Sequence, residues 1–306
     1  MHHSLNYCRH FLLSAALVFS LAGTGCKPKG DRSGAGGGRT TIQNKGSDTM
    51  VNVAQVWAEE YKKAHPDVDV EVSGGGSGVG IAALTKGTID IANASRDMKA
   101  EERSLATRNT GKDPVEFVVG FDALVVYVHK DNPLNEITNE QLASIFGEGG
   151  KITRWSEMGV KVPAGQDEIV RVSRQSSSGT YEFFREHVLG TMDYKLGSRD
   201  MNGSKEVVEL VASTPSAVGY SGLGSNEPGK VKMLKVSLGA GRPAIEPSVA
   251  TTLSKQDPIA RPLLVYTLGA PQGKLKDYID WIMSDAGQKI VETSGYVPLS
   301  ASDRKK

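Results

Sequence analysis

Two spacings of apolar residues alternate along the chain. In Val68-Asp69-Val70-Glu71-Val72 every second residue is apolar, which is typical of a half-buried β-strand. The preceding run from Met50 to Ala64 has apolar residues three and four positions apart, namely Val53, Val56, Trp57 and Tyr61. This spacing predicts one face of an α-helix. Similar strand-like and helix-like runs alternate through residue 292, so we expect an α/β fold.

Two extended runs are candidates for segments that cross between two parts of the protein. Val115 to Val128 is a long extended run, and Arg261 to Thr267 is a second one near the end of the chain. The chain has 306 residues, which is more than one small core requires. We therefore expect two lobes, or one large domain, with these runs as the crossings.

Glycine and hydroxyl residues stand at the start of several predicted helices. They occur in Gly46-Ser47-Asp48-Thr49, in Ser73 to Gly80 and in Arg174 to Thr180, and Ser95-Arg96 ends another strand before a helix. The first backbone N–H groups of a helix have no intrahelical partner and carry partial positive charge. An oxyanion satisfies both conditions, so each of these turns is a candidate anion-binding element.

The run from Arg174 to Thr180 has the most complete set of donors. The hydroxyls of Ser178 and Thr180 can add hydrogen bonds, Gly179 lets the backbone approach a ligand, and Arg174 offers a planar charged fork. An ordinary serine or threonine helix cap explains the same residues. Arg96 also has two interpretations, as a site residue at the end of an apolar strand or as a surface residue at a helix start.

The glycine-rich run Ser73 to Gly80 does not fit the nucleotide-binding motifs. A P-loop requires a lysine and a serine or threonine after its last glycine, where this chain has Ile81-Ala82. The glycine spacing also differs from that of the dinucleotide fingerprint. What remains is a further helix start, in which Ser77 is the candidate contact.

The first 26 residues differ from the rest. A short polar start with Arg9 precedes an apolar run from Phe11 to Ala22, which is too short to span a bilayer and is typical of a signal peptide. Gly25-Cys26 resembles the lipidation site of bacterial lipoproteins, although Gly23 stands where that pattern prefers a leucine-like residue. We expect Cys26 to be lipidated rather than the chain simply secreted, and residues 27–39 to form a flexible tether.

Cysteine and charge usage exclude several classes of function. The only other cysteine, Cys8, lies in the segment predicted to be removed, so the mature chain has no disulfide and no thiol chemistry. Removal of residues 1–26 also removes Arg9 and leaves 35 basic and 35 acidic side chains. A protein of zero formal charge does not attract anions by bulk potential, and we expect no nucleic-acid partner.

Taken together, the ordered motifs resemble the phosphate-type periplasmic solute-binding proteins of ABC transporters, the PstS-like family. The motifs that carry this resemblance span nearly all of residues 41–299 and include Gly46-Ser47-Asp48-Thr49, Gly74-Gly75-Gly76-Ser77-Gly78, Ala94-Ser95-Arg96, Lys130-Asp131-Asn132-Pro133, Ser178-Gly179-Thr180, Ala217-Val218-Gly219-Tyr220, Arg261-Pro262-Leu263 and Gly295-Tyr296-Val297-Pro298-Leu299. Each motif is weak alone, and the set is specific.

The resemblance implies a two-lobe α/β fold of the type II periplasmic kind, with two crossing segments and one oxyanion in the cleft between the lobes. The first lobe would comprise residues 40–124 and 250–306, and the second residues 125–249. The implied ligand contacts are Asp48, Thr49, Ser77, Ser95, Arg96, Arg174, Ser178, Gly179 and Thr180. The implied role is to bind inorganic phosphate outside the cytoplasmic membrane, without a cofactor, as a monomer anchored only by lipid, and to deliver it to the permease subunits.

Two positions depart from the pattern of some family members, which carry a hydroxyl where Asp48 stands and an aspartate where Arg96 stands. A buried carboxylate can accept a hydrogen bond from a protonated phosphate while arginines offset its charge. Sulfate has no proton to donate at neutral pH and would leave that acceptor unpaired beside a like charge. We therefore hypothesise that Asp48 helps to select phosphate over sulfate.

Three other functions remain open from the sequence. A related fold could bind another oxyanion such as molybdate, tungstate or sulfate, and the lobes could also serve signalling or adhesion. A serine hydrolase or phosphatase that uses Ser178 would need a base, but His65, His129 and His187 stand in no triad motif. The residues around Ser178 are not a nucleophile elbow, and no metal-binding pattern accompanies them.

Overall fold

The computed structural model describes residues 39–239 and 241–305. The strands are β1 Thr40–Gly46, β2 Val68–Ser73, β3 Ile91–Ala94, β4 Pro114–His129, β5 Glu136–Thr138, β6 Val170–Arg174, β7 Arg199–Met201, β8 Ala217–Gly222, β9 Val231–Met233, β10 Lys235–Ser237 and β11 Ala260–Leu268. The helices are α1 Val51–Ala64, α2 Ser77–Leu84, α3 Ala100–Thr110, α4 Asn139–Phe146, α5 Gly179–His187, α6 Ser204–Ser213, α7 Val249–Leu253, α8 Gly273–Met283 and α9 Asp285–Thr293.

Most of the described strands form one mixed sheet in the order β2-β1-β3-β11-β4-β8-β6-β7, in which β9 also pairs with β4. The long strand β4 pairs antiparallel with β11 through its first half and with β8 and β9 through its second half. Strand β4 is therefore shared by the two halves of the sheet. The two predicted crossing runs are thus neighbours, β4 and β11, at the centre of the sheet.

Two groups of buried residues lie on either side of this central pair. One group draws its apolar core from residues 42–119 and 263–296, which we call the first lobe. The other draws its core from residues 124–236 together with Ile259, which we call the second lobe. Ile259 thus packs in the second lobe, although the sequence assigned it to the first. The exact lobe boundaries remain a prediction.

The segment from Val231 to Val236 is divided between two short strands. Val231–Met233 pairs with β4, whereas Lys235–Ser237 pairs with β5 in a separate two-stranded sheet. Between them the fully buried Leu234 donates its N–H to the carbonyl of Val126. The sequence of Val231 to Val236 does not reveal such a change of partner, because the side-chain period is the same in both sheets.

The predictions about residues 1–26, the tether and the lipidation of Cys26 concern positions outside the described part of the chain, apart from Arg39. Among residues 39–239 and 241–305, no helix is both long enough and apolar enough to cross a membrane.

Candidate anion-binding site

Hydroxyl side chains from three helix starts meet between the two lobes. The turn before α1, the first turn of α2 and the start of α5 contribute to this group, and Ser95 joins it from the end of β3. Its members are all buried: Ser47, Thr49, Ser77, Ser95, Ser178 and Thr180. We call these six residues the hydroxyl cluster.

Close contacts connect the members of the hydroxyl cluster. Ser95 accepts from the hydroxyl of Ser47 at 3.1 Å, and its own N–H donates to Ser77 Oγ at 3.1 Å. Thr49 Oγ1 of the first lobe lies 3.1 Å from Thr180 Oγ1 of the second. Each hydroxyl can rotate to donate or accept. The cluster can therefore turn several O–H donors toward one oxyanion.

Gly179 fits closely against the cluster from the second lobe. A Cβ atom at this position would lie 2.3 Å from Ser77 Oγ and 2.6 Å from Ser95 Oγ. Real Cβ contacts are not this short, so any side chain here would push the lobes apart. Gly179 thus allows α5 to approach two serines of the first lobe, whereas the predicted approach of its backbone to a ligand remains a prediction.

The glycine-rich turn before α2 makes a second contact between the lobes. Gly78 N–H donates to the carbonyl of Ser177 at 2.9 Å, and the hydroxyl of Ser177 donates to the carbonyl of Gly75 at 3.0 Å. Gly76 has a φ of +96°, and a Cβ there would lie 2.4 Å from the Ser177 carbonyl oxygen. Glycine is required at Gly76 for both its backbone conformation and its contact.

Arg174 and Asp48 form an ion pair between the lobes. Arg174 ends β6 and is fully buried, and its Nη2 donates to Asp48 Oδ2 at 3.0 Å. Its other donors reach the carbonyls of Met201 and Asn202 and the hydroxyl of Ser204. Burial lowers the pKa of Arg174, and the Asp48 carboxylate opposes this shift. Arg174 is therefore a fixed charge that ties the first lobe to the second.

The Asp48 carboxylate keeps capacity for further hydrogen-bond donors. Oδ1 accepts from the N–H of Gly75 at 2.8 Å, and Oδ2 accepts from Arg174. Each carboxylate oxygen has two lone pairs, so these two bonds leave acceptor sites on both atoms. The side chain is 15% exposed, which places it at the edge of the buried region.

Ser178 caps α5. Its hydroxyl oxygen accepts from the N–H of Thr180 at 3.1 Å, as in an ordinary helix cap. The capping interpretation and the anion-site interpretation therefore describe the same residue, because the cap lies within the buried hydroxyl cluster.

Arg96 makes its hydrogen bonds elsewhere. Its guanidinium donates to both carboxylate oxygens of Glu102 at 2.7 and 2.8 Å and to the carbonyl of Asp97. Burial alone lowers the pKa of Arg96, but Glu102 outweighs this effect and the pKa lies above its ordinary value. The structure thus engages this charge with Glu102 rather than with the hydroxyl cluster. A direct role of Arg96 in ligand binding remains a prediction.

Comparison with known proteins identifies the family. The family profile described as the PBP superfamily domain matches residues 31–286. A protein named Phosphate-binding protein PstS from Pseudomonas aeruginosa is 31% identical to this chain over an alignment of 312 positions. The alignment covers 96% of this chain and 96% of that protein. This chain belongs to the PBP superfamily and to its PstS-like family.

Two further relatives agree with this assignment of the PstS-like chain. Protein SphX from Synechococcus elongatus is 35% identical over 275 residues, covering 86% of this chain and 79% of that protein. The crystal structure of a phosphate ABC transporter substrate-binding protein from Clostridium perfringens with bound phosphate has a TM-score of 0.74 and 28% identity, covering 85% of this chain and 100% of that one. The two-lobe substrate-binding fold is thereby confirmed. The family consists of substrate-binding transport proteins and is not an enzyme family.

A second buried arginine, which the sequence did not mark as a site residue, lies at the site of this PstS-like protein. Arg261 of β11 is fully buried and contacts Thr49 and Ser95 of the hydroxyl cluster, with Asp122 of β4 as its ion-pair partner. Charged residues are rarely buried without a partner. Arg261 and Asp122, each inside an otherwise apolar strand run, were the available signal, but the sequence does not show that they pair.

Proposed function

We propose that this protein binds inorganic phosphate between its two lobes, outside the cytoplasmic membrane, and delivers it to the permease of an ABC transporter. The observation that carries this proposal is the buried hydroxyl cluster, which joins three helix starts and lies beside the Arg174–Asp48 ion pair. The relatives named as phosphate-binding proteins support the choice of ligand.

Dipoles and hydroxyls rather than excess charge provide the anion affinity. The two buried arginines each have an aspartate partner, Asp48 for Arg174 and Asp122 for Arg261. The four side chains therefore sum to zero formal charge. An oxyanion is then stabilised by preorganised O–H donors and by the backbone N–H groups at the helix starts. We propose Asp48, Thr49, Ser77, Ser95, Arg96, Arg174, Ser178, Gly179 and Thr180 as the ligand contacts, as the sequence predicted.

The contacts between the lobes support closure on the ligand. Besides the hydroxyl and arginine contacts, Lys99 at the start of α3 donates to Glu182 of α5 at 2.6 Å. The two partners of each contact lie in different lobes, so these contacts form only when the lobes approach. The central pair of strands, β4 and β11, would act as the hinge. The boundaries near residues 124 and 250, attachment through Cys26 and a monomeric state belong to the same proposal.

The geometry around Ser178 supports a binding role without catalysis. The three described histidines lie in other places: His65 stacks on Tyr61 at 4.1 Å, His187 stacks on Phe183 at 3.9 Å, and His129 pairs with Asp131. A serine nucleophile needs a base within hydrogen-bond reach. The Ser178 hydroxyl instead accepts from the backbone as a helix cap.

Asp48→Asn tests both the ligand and the selectivity. We expect the wild type to bind phosphate and not sulfate, because the free acceptor sites of Asp48 can accept a hydrogen bond from a protonated phosphate, whereas sulfate has no proton to donate. An unpaired buried acceptor costs about 1–3 kcal/mol, so the asparagine variant should lose about tenfold or more of its preference for phosphate. Isothermal titration calorimetry with both anions measures this change.

The matched control is Asp97→Asn, which changes an exposed carboxylate two residues after Ser95. It should leave both affinities as in the wild type. If the phosphate-to-sulfate ratio is the same in Asp48→Asn and in the wild type, Asp48 has no role in selection.

A further inference from the structure

Arg261 lies where the two crossing strands meet. Its Cα is paired in register with that of Asp122, so the guanidinium and the carboxylate project from opposed positions of β11 and β4. Both side chains are fully buried, and together they form a forked ion pair in which Nε and Nη2 donate to Asp122 Oδ2 at 3.1 and 2.8 Å. A buried ion pair therefore joins the two central strands on one face of the sheet.

The same guanidinium reaches the hydroxyl cluster. Its Nη2 donates to Thr49 Oγ1 at 3.3 Å and its Nη1 to the carbonyl of Ser95 at 3.4 Å. Its central carbon also lies 5.6 Å from the ring centre of Phe183 on α5. Arg261 thus touches both lobes and both crossing strands. Among the described residues of the cluster, Thr49 is the one that contacts this arginine through its hydroxyl.

The hydrogen bond from Arg261 determines whether the Thr49 hydroxyl accepts or donates in its other contacts. Arginine has only donors, so Thr49 Oγ1 must act as the acceptor in this contact. The proton of that hydroxyl then remains free to be donated to a neighbour, either to Thr180 or to an anion. A hydroxyl that already accepts from a cation is also a stronger donor, because hydrogen bonds in a chain polarise one another.

Asp122 keeps Arg261 in this position and balances its charge. Burial raises the pKa of Asp122, while the Arg261 charge and the N–H of Leu223, at 2.9 Å from Oδ1, oppose the shift. Arginine stays charged under all ordinary conditions. The positive end of the pair therefore faces the hydroxyl cluster, and the negative end faces the backbone of Leu223.

We propose that Arg261 is a positioning residue of the anion site, which holds the Thr49 hydroxyl as a donor and presents a buried positive charge to the ligand. This inference rests on the proposed binding of phosphate and extends it to a residue that contacts the hinge strands as well as the site. Arg261 acts through Thr49 and Ser95, and Asp122 acts through Arg261.

Three variants separate this role from simple structural support. Arg261→Gln with Asp122→Asn replaces the ion pair by two amides and leaves no buried charge unpaired. We expect this double variant to fold and to bind phosphate about 30-fold more weakly than the wild type. Arg261→Lys keeps the charge beside Asp122 and should lose only about tenfold. Arg261→Gln alone should bind phosphate most weakly of the three variants, because it leaves the buried Asp122 carboxylate unpaired.

A double-mutant cycle tests the connection to Thr49. We expect Thr49→Val to weaken phosphate binding in the wild type but to have little further effect in the double amide variant, because Arg261 no longer holds the Thr49 hydroxyl as a donor there. Affinities come from calorimetry and the folded state from circular dichroism without ligand.

The outcomes are distinct. A wild type that binds no phosphate contradicts the proposed function itself. A wild type that binds phosphate, together with a double amide variant of equal affinity, shows that Arg261 only neutralises Asp122 and overturns this inference. Fully additive effects of Thr49→Val and the double amide change overturn it as well.

Discussion

Replacement of Arg174 by alanine is expected to weaken phosphate binding by about 1,000-fold. Arg174 is the buried cation that connects β6 of the second lobe to Asp48 of the first. Its removal leaves the Asp48 carboxylate beside an incoming anion without the charge that offsets it. Truncation of one member of a buried charge pair typically costs 2–5 kcal/mol or more, roughly, and much of this is the penalty for the group left behind. Equilibrium dialysis with labelled phosphate measures the loss.

The Arg174→Ala variant is also expected to have a lower free energy of unfolding than the wild type. Arg174 also donates to Ser204 and to two carbonyls within the second lobe, so the alanine variant leaves these acceptors without their partner. Arg171→Ala is the matched control, because Arg171 lies in the same strand and donates to the carbonyl of Leu196. We expect that control to bind phosphate normally. If Arg174→Ala also binds normally, the ion pair between the lobes has no part in the site.

Gly179→Ala is expected to weaken phosphate binding by roughly 10- to 100-fold, with little change in the fold of either lobe. The added methyl group would lie 2.3 Å from Ser77 Oγ and 2.6 Å from Ser95 Oγ, so the two lobes can no longer approach as closely. Overpacking of this kind costs about 1–3 kcal/mol, which appears here as a cost of closure. Calorimetry gives the affinity, and small-angle X-ray scattering with phosphate shows whether the lobes still close.

Gly203→Ala is the matched control for this substitution. Gly203 precedes α6, has an ordinary extended backbone, and a Cβ there would lie 3.6 Å from the nearest atom, a carboxylate oxygen of Glu206. This variant should bind phosphate and close as the wild type does. Normal phosphate affinity in Gly179→Ala would contradict the close approach of α5 to the serines of the first lobe.

The fold was predictable because its signals are local. Alternation in Val68–Ser73 and helical spacing in Val51–Ala64 depend on neighbours within a few residues, and the structure has a strand and a helix at these places. The helix starts were predictable for the same reason, because glycine and hydroxyl residues before an apolar run are typical of a helix N-terminus. Helix α2 begins at Ser77, which the sequence had marked as the candidate contact of this helix start.

The partners of the charged residues were not predictable. Asp48 and Arg174 are 126 residues apart, and Asp122 and Arg261 are 139 residues apart. Nothing in the local pattern states which acid will face which base after folding. Arg96 illustrates the same limit at short range, because its fork pairs with Glu102 on the next helix. The sequence indicates which charged side chains are candidates for burial. Their ion-pair partners become known only from the folded structure.

The contact between the central strands β4 and β11 is the feature that the sequence predicted least well. The runs that form β4 and β11 were predicted as crossings, but their contact along residues 114–123 and 260–268 was not. That contact brings Arg261 beside Thr49 and so joins the crossing strands to the hydroxyl cluster. A ligand held by the cluster would thus interact with the two strands that we propose as the hinge. Phosphate binding and closure would then be coupled through one side chain.

The most direct test is a calorimetric titration of residues 38–306, one compact unit, with phosphate, sulfate, arsenate and molybdate after removal of bound ligand. We expect phosphate to bind with a dissociation constant of about 1 μM or lower, and sulfate to produce no binding heat. Absence of heat with all four anions, or tighter binding of sulfate or molybdate than of phosphate, would contradict phosphate binding as the function of this protein.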